Sequence, residues 1–263
     1  TITYSGDNNA SRETTGVGFQ PDFVWVKNRS SAAGHLLWDV VRGTDKNLRT
    51  DGTFDEAAVS GSANGIVSTS TSDGFSFKQI SSLLNVNQSG QTYVGWNWKA
   101  GGAAVTNTAG SITSQVSASP TAGFSVVTYT GNGTGGATVG HSLGAAPKMV
   151  ITKNRSASAN WLVYHETLGA TKYLGLNQTI SAQTNIVAWN NTAPTNNVFS
   201  IGADSSVNGS GNSMVAYCFS EVPGYSSFGS YVGNGSTDGP FVYLGFRPKF
   251  FLFKRSDSTS DWT

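Results

Sequence analysis

The sequence predicts an all-β protein made of tandem antiparallel β-sandwiches of jelly-roll-like form, and three observations carry that expectation. One stretch recurs: Gly18-Phe19-Gln20-Pro21-Asp22-Phe23-Val24-Trp25-Val26-Lys27-Asn28-Arg29-Ser30 returns at 144–156 and again at 245–256. Each copy is a Gly/Pro turn, a run of apolar β-branched or aromatic residues, and a polar stop, with Lys27, Lys153 and Lys254 each six residues after a proline. Short apolar runs are separated by Gly and Asn turn signals throughout, and helical periodicity is almost absent. A period of this length points to repeated supersecondary units.

Taken in order, the first unit spans residues 1–102. It opens with Thr3-Tyr4-Ser5-Gly6-Asp7, matched by Thr128-Tyr129-Thr130-Gly131-Asn132 in a second unit over 124–223 and by Ser230-Tyr231-Val232-Gly233-Asn234 in an incomplete third over 224–263. After the recurring strand the first two units stay in register at an offset of 126, so that Gly43 meets Gly169, Leu48 meets Leu174 and Asp51 meets Asn177. Thr53 to Val59 reads as one helical turn, with Thr53 capping and Glu56 three residues on. Gly74-Phe75-Ser76-Phe77 and Val198-Phe199-Ser200-Ile201 read as matched strands. The last strand of each unit carries Val94, Trp96 and Trp98, or Val215, Tyr217 and Phe219, on one face, which is expected to point inward. Cys218 then lies on the other face as a small packing residue. The Ala-, Ser-, Thr- and Gly-rich stretch 103–123 reads as a linker or an edge strand. Phe250-Phe251-Leu252-Phe253 reads as the apolar strand of the third unit.

Composition excludes several classes of function. With 12% charged residues, a net charge of +1 and 16 basic side chains scattered among 15 acids, no basic face for nucleic acid is expected. One cysteine allows no intramolecular disulfide and no cysteine-rich metal site. No apolar run reaches the length of a membrane-spanning helix, so no membrane insertion is expected.

The chemical motifs fail on context. Gly140-His141-Ser142-Leu143-Gly144 spells a nucleophile elbow, but an elbow needs a helix after its serine, and Pro147 and a strand follow instead. Gly131-Asn132-Gly133-Thr134-Gly135-Gly136 lacks the helix and the distant acid of a dinucleotide site. Asp55 and Glu56 are adjacent, so they point apart and read as a solvated turn rather than a carboxylate pair. His35, His141 and His165 share no ligand spacing. No catalytic residue, cofactor or metal is therefore expected.

Two sets of residues invite a binding reading. Lys27, Asn28 and Arg29, with Lys153, Asn154 and Arg155, close the recurring strand and would suit a ligand or an interface, since Arg forks onto carboxylates. The same residues also suit a strand end in which Asn caps a turn. Trp189, between Ala188 and Asn190-Asn191, would be a platform for a sugar ring or a core residue.

The combination of Tyr-Thr-Gly-Asn-Gly at 129–133, Gly245-Phe246-Arg247-Pro248, and an Asn-x-Ser-Gly strand ending in Trp96-Asn97-Trp98-Lys99-Ala100-Gly101-Gly102 or Tyr217-Cys218-Phe219-Ser220-Glu221-Val222-Pro223-Gly224 resembles a repeat in virion proteins of bacteriophages, especially marine ones. The resemblance implies a non-enzymatic structural role on the particle surface, as tail fibre, appendage or capsid-surface module. Its implied partners are other virion subunits in a homo-oligomer and a host-surface glycan. A carbohydrate-binding module of a larger secreted or cell-surface protein is the alternative.

Overall fold

The computed structural model describes residues 1–9, 11–43, 46–58, 65–68, 72–78 and 86–263. A first lobe holds β1 (Ile2–Ser5), β2 (Ser11–Thr15), β3 (Phe23–Asn28), β4 (Leu36–Asp39), β5 (Lys46–Arg49), β6 (Ala57–Ala58), β7 (Gly65–Ser68), β8 (Gly74–Lys78) and β9 (Thr92–Trp98). A second lobe holds β10 (Val105–Asn107), β11 (Ser114–Ser119), β12 (Phe124–Thr130), β13 (Ala137–Gly140), β14 (Met149–Asn154), β15 (Leu162–His165), β16 (Lys172–Gly175), β17 (Gln183–Thr184), β18 (Val198–Ile201) and β19 (Ser213–Phe219). Two one-turn α-helices, α1 (Ile186–Trp189) and α2 (Ser205–Asn208), and a 3-10 turn over Glu166–Leu168 complete it.

Each lobe is a large sheet over a small one, with every strand pairing antiparallel. The large sheets run β1-β9-β3-β4-β5-β6 and β10-β11-β12-β19-β14-β15-β16-β17, and the small ones β2-β8-β7 and β13-β18. Apart from β7 in the first lobe and β10 and β11 in the second, the two orders correspond. The recurring strand occupies the same place in both, as β3 between β9 and β4 and as β14 between β19 and β15. The stretch 103–123 supplies β10 and β11, which extend the second large sheet beyond β12.

The opening motif of each lobe is explained by one buried asparagine. Asn87 accepts from Asp7 N (3.2 Å) and donates to Asp7 Oδ1 (2.6 Å) and Asn9 O (3.0 Å). Asn208 accepts from Asn132 N (2.8 Å) and donates to Asn132 Oδ1 (3.1 Å) and Thr134 O (2.9 Å). Just before it, Tyr4 and Tyr129 donate to Val86 O (2.8 Å) and Val207 O (2.6 Å). The glycine between tyrosine and turn is obligatory, because a Cβ there would stand 2.0 Å from Gln88 O at Gly6 and 2.3 Å from Gly209 O at Gly131.

Three apolar cores follow from this layering. Val24, Val26, Leu36 and Trp38 pack with Phe75 and Phe77 inside the first lobe. Val127, Tyr129, Val150, Phe199, Ile201, Ala216 and Cys218 fill the second. Between the lobes, Phe23, Trp25, Leu37 and Leu48 meet Phe124, Val126, Ile151, Trp161, Val163, Val215 and Tyr217. The large sheets thus form the two middle layers, each buried on both faces. Trp96, Trp98 and Phe219 point to this central core rather than into their own lobe.

Two expected elements take another form. Thr53 to Glu56 form no helical turn, with Val59 lying outside the described residues. Phe250-Phe251-Leu252-Phe253 is not a strand, because the last strand that pairs with β3 and with β14 has no counterpart in 224–263, and only a Lys254–Trp262 bridge forms. Tyr225, Tyr231, Phe241, Tyr243, Phe251 and Phe253 of this segment remain exposed.

Asn208→Ala removes a fully buried amide that bonds Asn132 N, Asn132 Oδ1 and Thr134 O, and is expected to cost about 3 kcal/mol. Urea denaturation followed by tryptophan fluorescence checks this, and an unchanged midpoint would contradict the role given to Asn208.

Candidate assembly interface

The loop that joins β5 to β6 in the first lobe lies against the β14–β15 hairpin of the second. Its backbone groups carry most of the seam. Arg49 O accepts from the Trp161 indole (2.9 Å), and Thr53 O accepts from Ala159 N (2.9 Å) and Lys153 Nζ (3.1 Å). Glu56 N donates to Arg155 O (2.9 Å), and the Glu56 carboxylate receives Arg155 in a fork at 2.8 and 2.9 Å. Arg42 joins from its own lobe, donating to Glu56 Oε2 (3.1 Å) and pairing with Asp39. Tyr217 of the second lobe donates to Asp39 Oδ2 (2.7 Å), and burial raises its pKa far enough to keep that hydroxyl protonated.

Burial sets the electrostatics. Desolvation alone would raise the Glu56 carboxyl, but the Arg155 hydrogen bond and the charges of Arg42 and Arg155 outweigh it and hold the pKa below its ordinary value. Desolvation pushes Lys153 down to about 8, against an opposing pull from Asp55. Its ammonium also donates to Ala159 O (2.8 Å), closing its own hairpin.

The same contacts recur at a second seam. Trp262 donates its indole to Gly175 O (2.9 Å), Ser260 N and Lys254 Nζ both donate to Thr179 O (2.8 Å each), and Ala182 N donates to Ser256 O (2.9 Å). On the accepting side, 49, 53 and 56 become 175, 179 and 182, a shift of 126; on the other, 153, 155, 159 and 161 become 254, 256, 260 and 262, a shift of 101. Lys254 also reaches Ser260 O as Lys153 reaches Ala159 O. Only the ion pair is missing, because Ala182 and Ser256 stand where Glu56 and Arg155 do.

The C-terminal segment also touches the first lobe. Phe250, which follows its proline by two residues as Phe23 does, packs edge-on to Trp96 (5.7 Å) and Trp98 (5.5 Å). Phe23 meets Tyr217 (4.9 Å), the β19 residue that occupies the place of Trp96 in β9. First lobe, second lobe and C-terminal segment therefore form a ring of three positions about the central core.

The residues singled out in the sequence fall into place accordingly. Asn28 and Asn154 cap turns, accepting from Ser30 N and Ser31 N (2.8 and 3.0 Å) and from Ser156 N and Ala157 N (3.0 and 3.1 Å). Lys153 and Arg155 are seam contacts, whereas Arg29 is exposed and Lys27 half-buried, with Lys27 Nζ on Ala33 O (3.1 Å). Trp189 is no platform: it is 2% exposed, turned inward at the end of α1 by the Asn185 cap and the left-handed Asn190, and edge-on to Tyr164 (6.0 Å). Glu56, read as part of a solvated turn, is instead the anchor of the seam. Arg42 and Asp39 were not singled out, and Trp161, Trp262 and Tyr217 were given no contact role; the two tryptophans stand eight residues after Lys153 and Lys254, a spacing that an ungapped third alignment exposes.

Elsewhere, Ser142 sits at φ 58 in the turn between β13 and β14, accepting from Asn107 Nδ2 (2.7 Å), and buried His141 is tied to Thr195 O (3.1 Å) and Leu143 N (3.2 Å). Neither meets the other's chemistry. A shallow groove of about 260 Å³ lies beside the seam, lined by Thr113, Gln115, Thr128, Tyr129, Thr130, Arg155 and Ser213. Among the described residues no His, Cys, Asp and Glu cluster has the makings of a metal site, and no helix is long and apolar enough to cross a membrane.

A depressed carboxyl stabilises the folded chain above its unfolded pKa, near the ordinary 4.5 for Glu56, and that contribution is lost as pH falls through the folded value. Glu56→Gln should therefore cost about 3 kcal/mol at pH 7, with the gap to the parent narrowing below pH 4.5. Paired denaturation curves at the two pH values check this; a gap that stays constant would contradict it.

No curated protein and no solved structure matches the chain. Its sequence, the two-lobed all-β fold and the recurring seam lie within a single family match that runs from the first residue to the last. The chain belongs to the family described as a domain of unknown function (DUF7483), whose model matches residues 1–263.

Proposed function

We propose that the chain is a non-enzymatic structural module of a bacteriophage virion, built of tandem β-sandwich units on the particle surface as part of a tail fibre, appendage or capsid decoration. The observation that carries this reading is the seam used twice with one set of contacts, at Arg49–Glu56 and again at Gly175–Ala182. A surface that accepts the next unit in the same way each time is the device of an assembling scaffold. The resemblance of the Tyr-Thr-Gly-Asn-Gly and Gly-Phe-x-Pro motifs to virion repeats points in the same direction. The exposed apolar side chains of 225–263, with Val232 at 88% and Phe241 at 89% exposure, add a large apolar surface suited to a neighbouring subunit.

On this reading host-surface recognition is a second task of the same particle surface, and the hydroxyl-lined groove beside Arg155 is the place for a glycan. The alternative, a carbohydrate-binding module of a secreted enzyme, loses its sugar platform with the burial of Trp189.

An antibody against the chain should decorate the outside of purified phage particles, and mass spectrometry should find it there at a fixed ratio to the major capsid protein. Particles that are infectious and lack the chain altogether would overturn the proposal.

A further inference from the structure

We propose that Lys27, Arg29, Ala33 and His35 form a third copy of the seam, open to take an extended acidic segment of the Leu48–Glu56 type from a further unit. The residues are those of the second lobe's hairpin moved by 126 positions: 27, 29, 33 and 35 become 153, 155, 159 and 161. The local geometry is already in place. Lys27 Nζ donates to Ala33 O (3.1 Å) as Lys153 does to Ala159 O (2.8 Å), so the ammonium is held in the same pose. His35 N donates to Asp51 Oδ1 (3.3 Å) as Trp161 N donates to Asn177 Oδ1 (2.9 Å), so the hairpin re-enters its sheet at the same point.

What differs is occupancy. Lys153 and Lys254 each make a second bond, to Thr53 O and Thr179 O, and among the described residues Lys27 makes none of that kind. Arg155 forks onto Glu56, whereas Arg29 is exposed and makes no ion pair among the described residues. The burial follows: Lys153 is fully buried and Lys27 half-buried, Trp161 fully buried and His35 half-buried.

The two filled seams define the chemistry of the occupant. It is an extended loop with a carbonyl for the ring of residue 35, a carbonyl four residues on for Lys27, and an N–H three residues further, as at Arg49, Thr53 and Glu56. Arg29 adds a demand for a carboxylate at that last position, the Glu56 variant of the loop rather than the Ala182 one. A second copy of the chain is a poor source, because both of its loops of this kind are filled by its own hairpins. A nucleic acid is a poor one too, since one Lys and one Arg offer too few phosphate contacts. The inference rests on the assembly reading only in taking the occupant to be a further unit of the same kind.

A fluorescein-labelled peptide of residues 46–58, titrated with the intact chain and followed by anisotropy, tests it. Saturable one-to-one binding is expected, weakened about tenfold or more by Arg29→Glu and restored when the peptide carries Glu56→Arg. Arg29→Glu should melt like the parent, because the side chain is exposed. Failure to saturate at millimolar peptide would overturn the proposal, as would binding that ignores Arg29→Glu. Reversible self-association of the intact chain that Arg29→Glu abolishes would also overturn it, by making a second copy the occupant. Peptide binding is read without any particle, so its failure leaves the virion role standing, and an absence from particles leaves the peptide result standing.

Discussion

A β-sheet with two apolar faces cannot stand in water on one partner, and both large sheets of this chain are of that kind. In β3 five of six residues are buried, and in β19 five of seven. The small sheet of each lobe covers one face. The other is covered by the opposite large sheet, with Phe250 and Trp262 of the C-terminal segment at its margin, so the lobes are obliged to join, and the central core of Phe23, Trp98, Phe124, Trp161 and Tyr217 is the result. Apolar burial has no direction of its own. The orientation of the joint comes from the polar groups at its rim, where Arg49 O and Thr53 O are aimed at an indole, an amide and an ammonium.

The two seams show which of those groups set geometry and which add strength. Backbone acceptors, the lysine and the tryptophan are common to both, so the placement depends on them. The Glu56–Arg155 pair belongs to the first seam alone. It carries a desolvated carboxylate that also holds Arg42, and therefore adds specificity with a penalty attached, since removing Glu56 leaves Arg155 without its partner. Lys153, lowered to about 8 by burial, remains a donor to its two carbonyls in either protonation state.

Much of the fold was legible because its turns are pinned by residues that sequence displays. Tyr-x-Gly followed by Asp7 or Asn132, and the later Asn87 or Asn208, are two ends of one hydrogen-bonded knot, so the motifs recur together. Alternation identified which residues share a face of the last strand, but it did not say what each face meets: Tyr217 looks at the other lobe and Cys218 into its own. Glu56 was misread, and Trp189 left open between core and platform, for the same physical reason, namely that polar neighbours in sequence say little about neighbours in space. Asn190 and Asn191 are turn residues at positive φ that swing the indole inward, and Glu56 is surrounded by arginines from two lobes. The Phe250–Phe253 run has the composition of a strand without the partner that would make it one.

The claim that one seam is used twice is tested most directly by native-state amide hydrogen exchange, with no substitution needed. Four backbone N–H groups cross between bodies: Glu56 and Ala159 at the first seam, Ala182 and Ser260 at the second. All four lie outside regular strands, and none bonds within its own hairpin. The account predicts that Ser260 and Ala182 are protected alongside Ala159 and Glu56. Exchange of Ser260 and Ala182 at the rate of an open loop, with Ala159 and Glu56 protected, would contradict it.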